Sequence, residues 1–138
     1  MDKQRKTENW LRYSSIWRNV LTHILEWSAE RVDEYIEELR QEMETGAHDP
    51  AGYGFFFDLP SWYLTSALLG NGLHERIMRC KSNESNPQLI YQRLVRAITG
   101  NHLEREMDNK DFDWDKARQR YQSERRRIEE WLEILEKA

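Results

Sequence analysis

The first 45 residues contain neither glycine nor proline, and one apolar stripe at helical spacing runs through most of them. The stripe consists of Trp10, Tyr13, Trp17, Leu21, Ile24, Leu25, Val32, Tyr35, Ile36, Leu39 and Met43. On a helical wheel these positions cover about a third of the circumference, the width of a core-facing surface. The pattern predicts one continuous helix from about Thr7 to Thr45, roughly 57 Å long. Rods of this kind are more typical of subunits of larger assemblies than of small enzymes.

Glycine and proline divide the rest of the chain into shorter elements. The sequence predicts a loop over 46–57, short helices over 58–100, a linker over 101–110 and a C-terminal helix over 111–137. Among the short helices, the clearest begins after Asn86 at Pro87 and ends at Gly100. No strand pattern is found. The predicted fold is therefore all-α, a single domain over 1–138 in which long N- and C-terminal helices pack together around a compact centre.

Composition limits the class of protein. A chain of 138 residues is long enough to bury a core without disulfides, and Cys80 is its only cysteine. No apolar run approaches the roughly 18 residues of a membrane-spanning helix. The charged start, Met1 to Lys6, lacks the apolar segment of a signal peptide. We therefore expect a cytoplasmic protein that does not bind membranes.

The sequence offers no catalytic or metal-binding motif. The aspartates at 111, 113 and 115 resemble the start of a calcium loop, but Lys116 and Gln122 replace its required glycine and glutamate. Capping of the last helix explains these acids better. The four histidines are scattered, and Cys80 is interpreted as a small core residue. We expect no catalytic residues, no metal and no cofactor.

Two groups of cations are candidates for binding an anionic partner. The central group is Arg76, Arg79, Lys81, Arg93 and Arg96, with few acids nearby. The last helix adds Arg118, Arg120, Arg125, Arg126 and Arg127. The central group is interpreted either as ordinary solvated arginine and lysine or as a stripe that follows a nucleic-acid backbone without reading bases. The last group is interpreted mainly as solvated side chains, partly paired as Arg125 with Glu129 and Arg126 with Glu130.

The long N-terminal helix carries two further features. Ile16, Val20 and Trp27 form a second apolar strip beside the main stripe, which either widens the core or makes a subunit contact. The segment from Glu26 to Glu44 holds eight carboxylates and two arginines. These acids form either a solvated outer face or a surface that orients a basic partner.

The central segment contains Leu59-Pro60-Ser61, Gly70-Asn71-Gly72-Leu73, Ile77 and Lys81. It resembles the pattern found in small helical subunits of type III CRISPR effector complexes, and the Trp131-Leu132 region is similar to their closing helix. The resemblance covers about a third of the chain, and the acidic N-terminal rod departs from it. It implies subunits that stack head to tail with a basic face along nucleic acid. The counterparts here would be the central group of cations.

These observations favour a non-enzymatic helical subunit of a nucleoprotein complex. Its expected partners are protein subunits, including copies of itself, and the backbone of single-stranded nucleic acid. The main alternative is an acidic protein-protein interaction module, such as an immunity or inhibitor protein. A small enzyme with an unrecognised site is a third class.

Overall fold

Every regular element in the described part of the chain is a helix. The computed structural model describes residues 3–44, 62–80, 87–102 and 104–137. The helices are α1 (Lys3–Asn19), α2 (Ala29–Glu44), α3 (Trp62–Arg79), α4 (Pro87–Thr99) and α5 (Trp114–Lys137). A π-helical segment (Val20–Ile24) extends α1, and a 3-10 helix (Glu104–Asp108) precedes α5. No strand occurs within these ranges, so the all-α prediction is confirmed. The predicted loop over 46–57 lies outside them.

The prediction of one continuous helix over 7–45 is wrong. The chain leaves the helix at Leu25 and re-enters it at Ala29, and Glu26 between them has a positive φ of 57°. Turns wider than those of an α-helix end the first helix, because the Leu25 amide donates to the Val20 carbonyl and the Trp27 amide to the Leu21 carbonyl. Ser28 then caps α2: its side-chain oxygen accepts from the Arg31 amide at 3.3 Å. The sequence signal for this break is Ser28, a good N-cap residue in a segment without glycine or proline.

The chain turns despite the strain at Glu26 because the turn buries the apolar face of α2. A left-handed conformation at a non-glycine residue costs about 1–2 kcal/mol. Folding back buries Val32, Ile36 and Leu39 of α2 in the core, and each such side chain contributes about 1.5–3 kcal/mol. A straight rod would leave that apolar face of α2 in water. The turn is therefore favoured by tertiary burial.

Side chains fasten α2 to the preceding helices. Nη1 of Arg18 lies 2.5 Å from Oδ1 of Asp33. Near the turn, the ring of Trp27 packs edge-on against Tyr35, with centroids 5.3 Å apart. The Arg31 guanidinium lies 3.7 Å from the centre of the same indole.

The later helices follow the predicted boundaries closely. Helix α4 starts at Pro87 and ends before Gly100, whose φ of 63° closes the helix as predicted. Helix α5 starts after Asp113, whose side chain accepts from the Lys116 amide at 3.1 Å. This bond confirms the interpretation of that acid as a cap. Helix α3 is kinked at Gly70 (φ 73°, ψ 164°), and Gly72 lies inside its second half. The kink at Gly70 divides α3 into two helical parts.

Helix α5 organises the bundle. It packs chiefly against α4 and against the π-helical segment, and less extensively against α3. Buried residues from these elements and from α1 share one core, including Trp17, Leu21, Leu68, Tyr91 and Ile128. The predicted packing of the last helix along the N-terminal helix is therefore concentrated at the π-helical end.

Candidate functional site

The predicted central group of cations does not form one open stripe. Nε and Nη2 of Arg76 lie 2.9 and 2.6 Å from Oε1 of Glu136, and this hydrogen-bonded carboxylate raises the pKa of Arg76 above its usual value. Arg79 is exposed and has no ion pair with any described residue. Lys81 lies outside the described residues. Arg76 thus ties α3 to the end of α5.

Of the two arginines of α4, one forms an ion pair with another helix and the other does not. Nε and Nη2 of Arg93 lie 2.9 and 2.6 Å from Oε1 of Glu124, so this residue joins α4 to α5. Arg96 is exposed and has no ion pair within the part of the chain that the structure describes. Arg93 meets α5 near its middle, whereas Arg76 meets it at its C-terminal end.

Arginines of α5 bind backbone carbonyls of other elements. Arg118 Nη1 donates to the His23 carbonyl at 3.2 Å, at the end of the π-helical segment. Arg120 donates from Nε and Nη2 to two carbonyls in the last turn of α4, at 2.8 and 2.9 Å. Helix ends leave such carbonyls without intrahelical partners. The sequence-based interpretation of these arginines as mainly solvated is therefore wrong for Arg118 and Arg120. The carbonyl acceptors belong to other elements, so spacing along α5 signals only the pair of Arg118 with Asp115, in which Nη2 and Oδ1 lie 3.2 Å apart.

The kink of α3 creates a third carbonyl site. Because Gly70 is not helical, the Leu68 carbonyl accepts from the Tyr121 hydroxyl at 2.7 Å and from Arg125 Nη1 at 3.1 Å. Burial raises the pKa of Tyr121, and the charge of the nearby Arg125 opposes that rise. Arg125 also lies 3.1 Å from Glu129, which confirms that predicted pair. Most of these polar groups therefore maintain the fold.

A cationic groove lies between α4 and α5. Its volume is about 520 Å³, and it is lined by Ala97, Lys116, Gln119, Arg120, Ser123, Glu124 and Arg127. Three of these side chains are cationic and one is anionic. The anion, Glu124, is 18% exposed and is already paired with Arg93, with Arg127 3.8 Å away. We call these seven residues the α4–α5 groove.

The exposed charges of the groove are the ones available to a ligand. The Arg127 side chain is 73% exposed, and Lys116 is exposed in the first turn of α5. Arg120 is held in place by its two carbonyl bonds, so its charge is fixed at the wall. Gln119 and Ser123 add uncharged hydrogen-bonding groups. These side chains can together bind an anion. The lining of the groove contains no pair of a nucleophile and a general base.

The second apolar strip is divided between core and surface. Ile16 and Val20 are 1% and 0% exposed and belong to the core, so they widen the bundle and present no surface to a partner. Trp27 is partly exposed and is covered by Tyr35 and Arg31 of its own chain.

The outer face of α2 carries a row of carboxylates. Glu30, Glu34 and Glu38 are exposed and lie four residues apart, so they share one helix face. None of them has an ion pair with a described residue, whereas Glu37 is bound by Arg40, which lowers the pKa of that carboxyl. We call Glu30, Glu34 and Glu38 the α2 acidic row.

The described residues contain no cluster of three or more histidine, cysteine, aspartate or glutamate side chains placed to hold a metal ion. His102, just before the 3-10 helix, lies close to Glu106 within it, with Nδ1 2.9 Å from Oε2. None of the described helices has the length and hydrophobicity of a membrane-spanning segment. No family model matches the chain, and no curated protein or solved structure is significantly similar to it.

Proposed function

We propose that this chain is a non-enzymatic helical subunit of a nucleoprotein complex, and that its α4–α5 groove contacts the backbone of a single nucleic-acid strand. The observation that carries this proposal is the groove itself. It combines three cations with one carboxylate that Arg93 already neutralises. In an acidic chain with a net charge of −4, this is a local concentration of positive charge.

The groove has the chemistry of backbone binding without base readout. Lys116 and Arg127 supply exposed charges at the two ends of a stretch of α5 that is roughly 17 Å long. Ser123 and Gln119 between them can donate hydrogen bonds to phosphate or sugar oxygens. The lining contains no aromatic side chain on which a base could stack. Affinity should therefore depend on phosphate charge and little on sequence.

The proposal assigns backbone binding to the α4–α5 groove, whereas the sequence alone indicated the central group of cations. Of the predicted group, Arg93 borders the groove through Glu124, Arg96 precedes the lining residue Ala97, and Arg76 is committed to Glu136. A single copy should bind weakly because its net charge is negative. Copies aligned along one strand would add their grooves and raise the overall affinity. The resemblance of the central segment to CRISPR small subunits, which stack head to tail, is the reason for including that class of complex in the proposal.

Charge reversal in the groove tests the proposal. Lys116→Glu/Arg127→Glu is compared with Lys110→Glu/Lys137→Glu, which has the same net charge but alters exposed lysines outside the groove. Binding of a fluorescent single-stranded oligonucleotide is followed by anisotropy over a range of salt concentrations. The groove variant should bind more weakly, and its salt slope should fall by about 0.7 for each phosphate that it no longer neutralises. Equal affinity of the two variants would contradict the proposal.

The α2 acidic row favours a second candidate function, a protein-protein interaction module with a basic partner. Like charges four residues apart destabilise an isolated helix by about 0.2–0.5 kcal/mol per pair, and a basic partner would relieve that repulsion. The probe is a lysine-rich peptide. It is tested against Glu30→Gln/Glu34→Gln/Glu38→Gln and against the matched control Asp111→Asn/Glu130→Gln/Glu133→Gln. Weaker binding by the α2 variant alone would favour this function, and equal binding by both would exclude it.

A further inference from the structure

The connection between the π-helical segment and α2 is a strained hinge. Glu26 is the only non-glycine residue with a positive φ in the described part of the chain. The left-handed conformation at this residue lowers the population of the turn by a factor of roughly 5–30 relative to a helical conformation. Leu25 before it already has helical angles, with φ −88° and ψ −13°. A change at few residues would therefore place the helices in line.

The sequence on both sides of the hinge has no residue that stops a helix. No glycine or proline occurs between Lys3 and Glu44. The turn persists because the N-terminal arm, defined as α1 with the π-helical segment, packs against the remainder of its own chain. Its buried residues include Trp17, Val20, Leu21 and Ile24.

The polar contacts that fasten the arm to the rest of the molecule join residues on opposite sides of the hinge. Arg18 of the arm binds Asp33, and Nε of Arg12 lies 3.9 Å from Oδ2 of Asp108. The His23 carbonyl accepts from Arg118. All of these contacts would form equally well with a second copy of the chain if the hinge opened. Short hinges under strain favour such exchange.

We infer that two copies of this chain can exchange their N-terminal arms to form a domain-swapped dimer, with residues 25–28 opened into helix. The dimer retains the buried side chains of the arm and the ion pairs of the monomer, and it exchanges the left-handed turn at Glu26, with its Trp27–Tyr35 contact, for a continuous helix. The hinge then sets the balance between the two states, and the partner is a second copy of this chain. This inference is independent of the groove and of the proposed function.

Hinge variants test the inference through the fraction of dimer formed on refolding at high protein concentration, measured by size exclusion with light scattering. Glu26→Gly removes the strain of the turn and disfavours the opened helix, so it should lower the dimerisation constant by at least about a hundredfold over two hinges. Ser28→Ala removes the cap of the closed form and should raise the dimer fraction. Glu34→Gly, an exposed position within α2, is the matched control and should leave the balance unchanged.

Cross-linking distinguishes arm exchange from an ordinary surface dimer. Arg18→Cys/Asp33→Cys in a Cys80→Ala chain places two thiols where the arm meets α2. A short bis-maleimide should link them within one chain in the isolated monomer and between chains in the isolated dimer. Arg18→Cys/Cys80→Ala is the control for other cross-links. The inference is overturned if the dimer yields only links within one chain, if Ser28→Ala forms no dimer, or if Glu26→Gly and Glu34→Gly dimerise equally.

Discussion

The guanidinium of Arg120 lies directly against Gly100. A Cβ built on Gly100 would be 2.9 Å from Cζ and from Nη2 of Arg120, closer than real Cβ contacts allow. The same guanidinium donates to the carbonyls of Ala97 and Ile98 just before this glycine. The end of α4 and the wall of the α4–α5 groove are therefore one packed unit, in which glycine provides both the positive φ and the space.

Gly100→Ala should lower the free energy of unfolding by about 2 kcal/mol. The alanine would be strained at a φ of 63°, and its methyl group would displace the Arg120 side chain. Gly72→Ala is the matched control, because this helical glycine has nothing within 4 Å of the added Cβ. It should stabilise the protein by about 0.5–1 kcal/mol. Urea unfolding of the two variants measures the difference, and effects of the same sign would contradict this view of Gly100.

Arg125→Met should cost about 1.5–3 kcal/mol of stability. The substitution keeps much of the packing but removes the charged donor from the Leu68 carbonyl, the Tyr121 hydroxyl and Glu129. Arg126→Met provides the control, since Arg126 is exposed and its predicted pair with Glu130 does not form. That change should stay within about 0.5 kcal/mol. Thermal or urea unfolding compares them, and similar destabilisation would show that Arg125 does not support the α3 kink.

The stability of the protein should fall in alkaline solution partly through Tyr121. Burial raises the pKa of this phenol above its usual value, so the folded state favours the protonated form. The corresponding stabilisation is complete below the unfolded pKa and is lost as the pH rises from there through the folded pKa. Tyr121→Phe removes this titration and should flatten the decline. Unfolding free energies measured from slightly alkaline pH upward test this, and an identical decline in the variant would contradict it.

Ile16→Ala should cost about 2–5 kcal/mol, because its side chain is fully enclosed in the core. Leu11→Ala is the control on the same helix: Leu11 is 62% exposed and should change stability by less than about 0.5 kcal/mol. Calorimetry or urea unfolding measures both. Equal, small effects would mean that Ile16 faces outward and would restore its assignment to a subunit contact.

Local signals predicted the elements whose boundaries depend on single residues. Pro87 and Gly100 set the ends of α4, and Asp113 set the start of α5. The turn at Glu26 was missed because its cause is the packing of α2 back onto α1 and the π-helical segment, a tertiary contact that overrides the helical preference of the segment.

The candidate site was predictable only in part, for the same physical reason. The sequence indicated that arginines cluster in the second half of the chain, but the partner of each depends on helix packing. Arg76 and Arg93 are bound by glutamates 60 and 31 residues away, and Arg120 by carbonyls 22 and 23 residues away. The cations that remain available to a ligand line the groove between α4 and α5. This groove exists only after those two helices pack together.

The most direct test of the central claim is to map where a nucleic-acid strand touches the protein. Amide chemical shifts of the ¹⁵N-labelled chain are recorded while a short single-stranded oligonucleotide is added at low salt. The proposal predicts shifts concentrated at Lys116, Gln119, Ser123 and Arg127, and none at the α2 acidic row. Shifts centred on Arg79 and away from the groove, or no shifts at any oligonucleotide concentration, would contradict it.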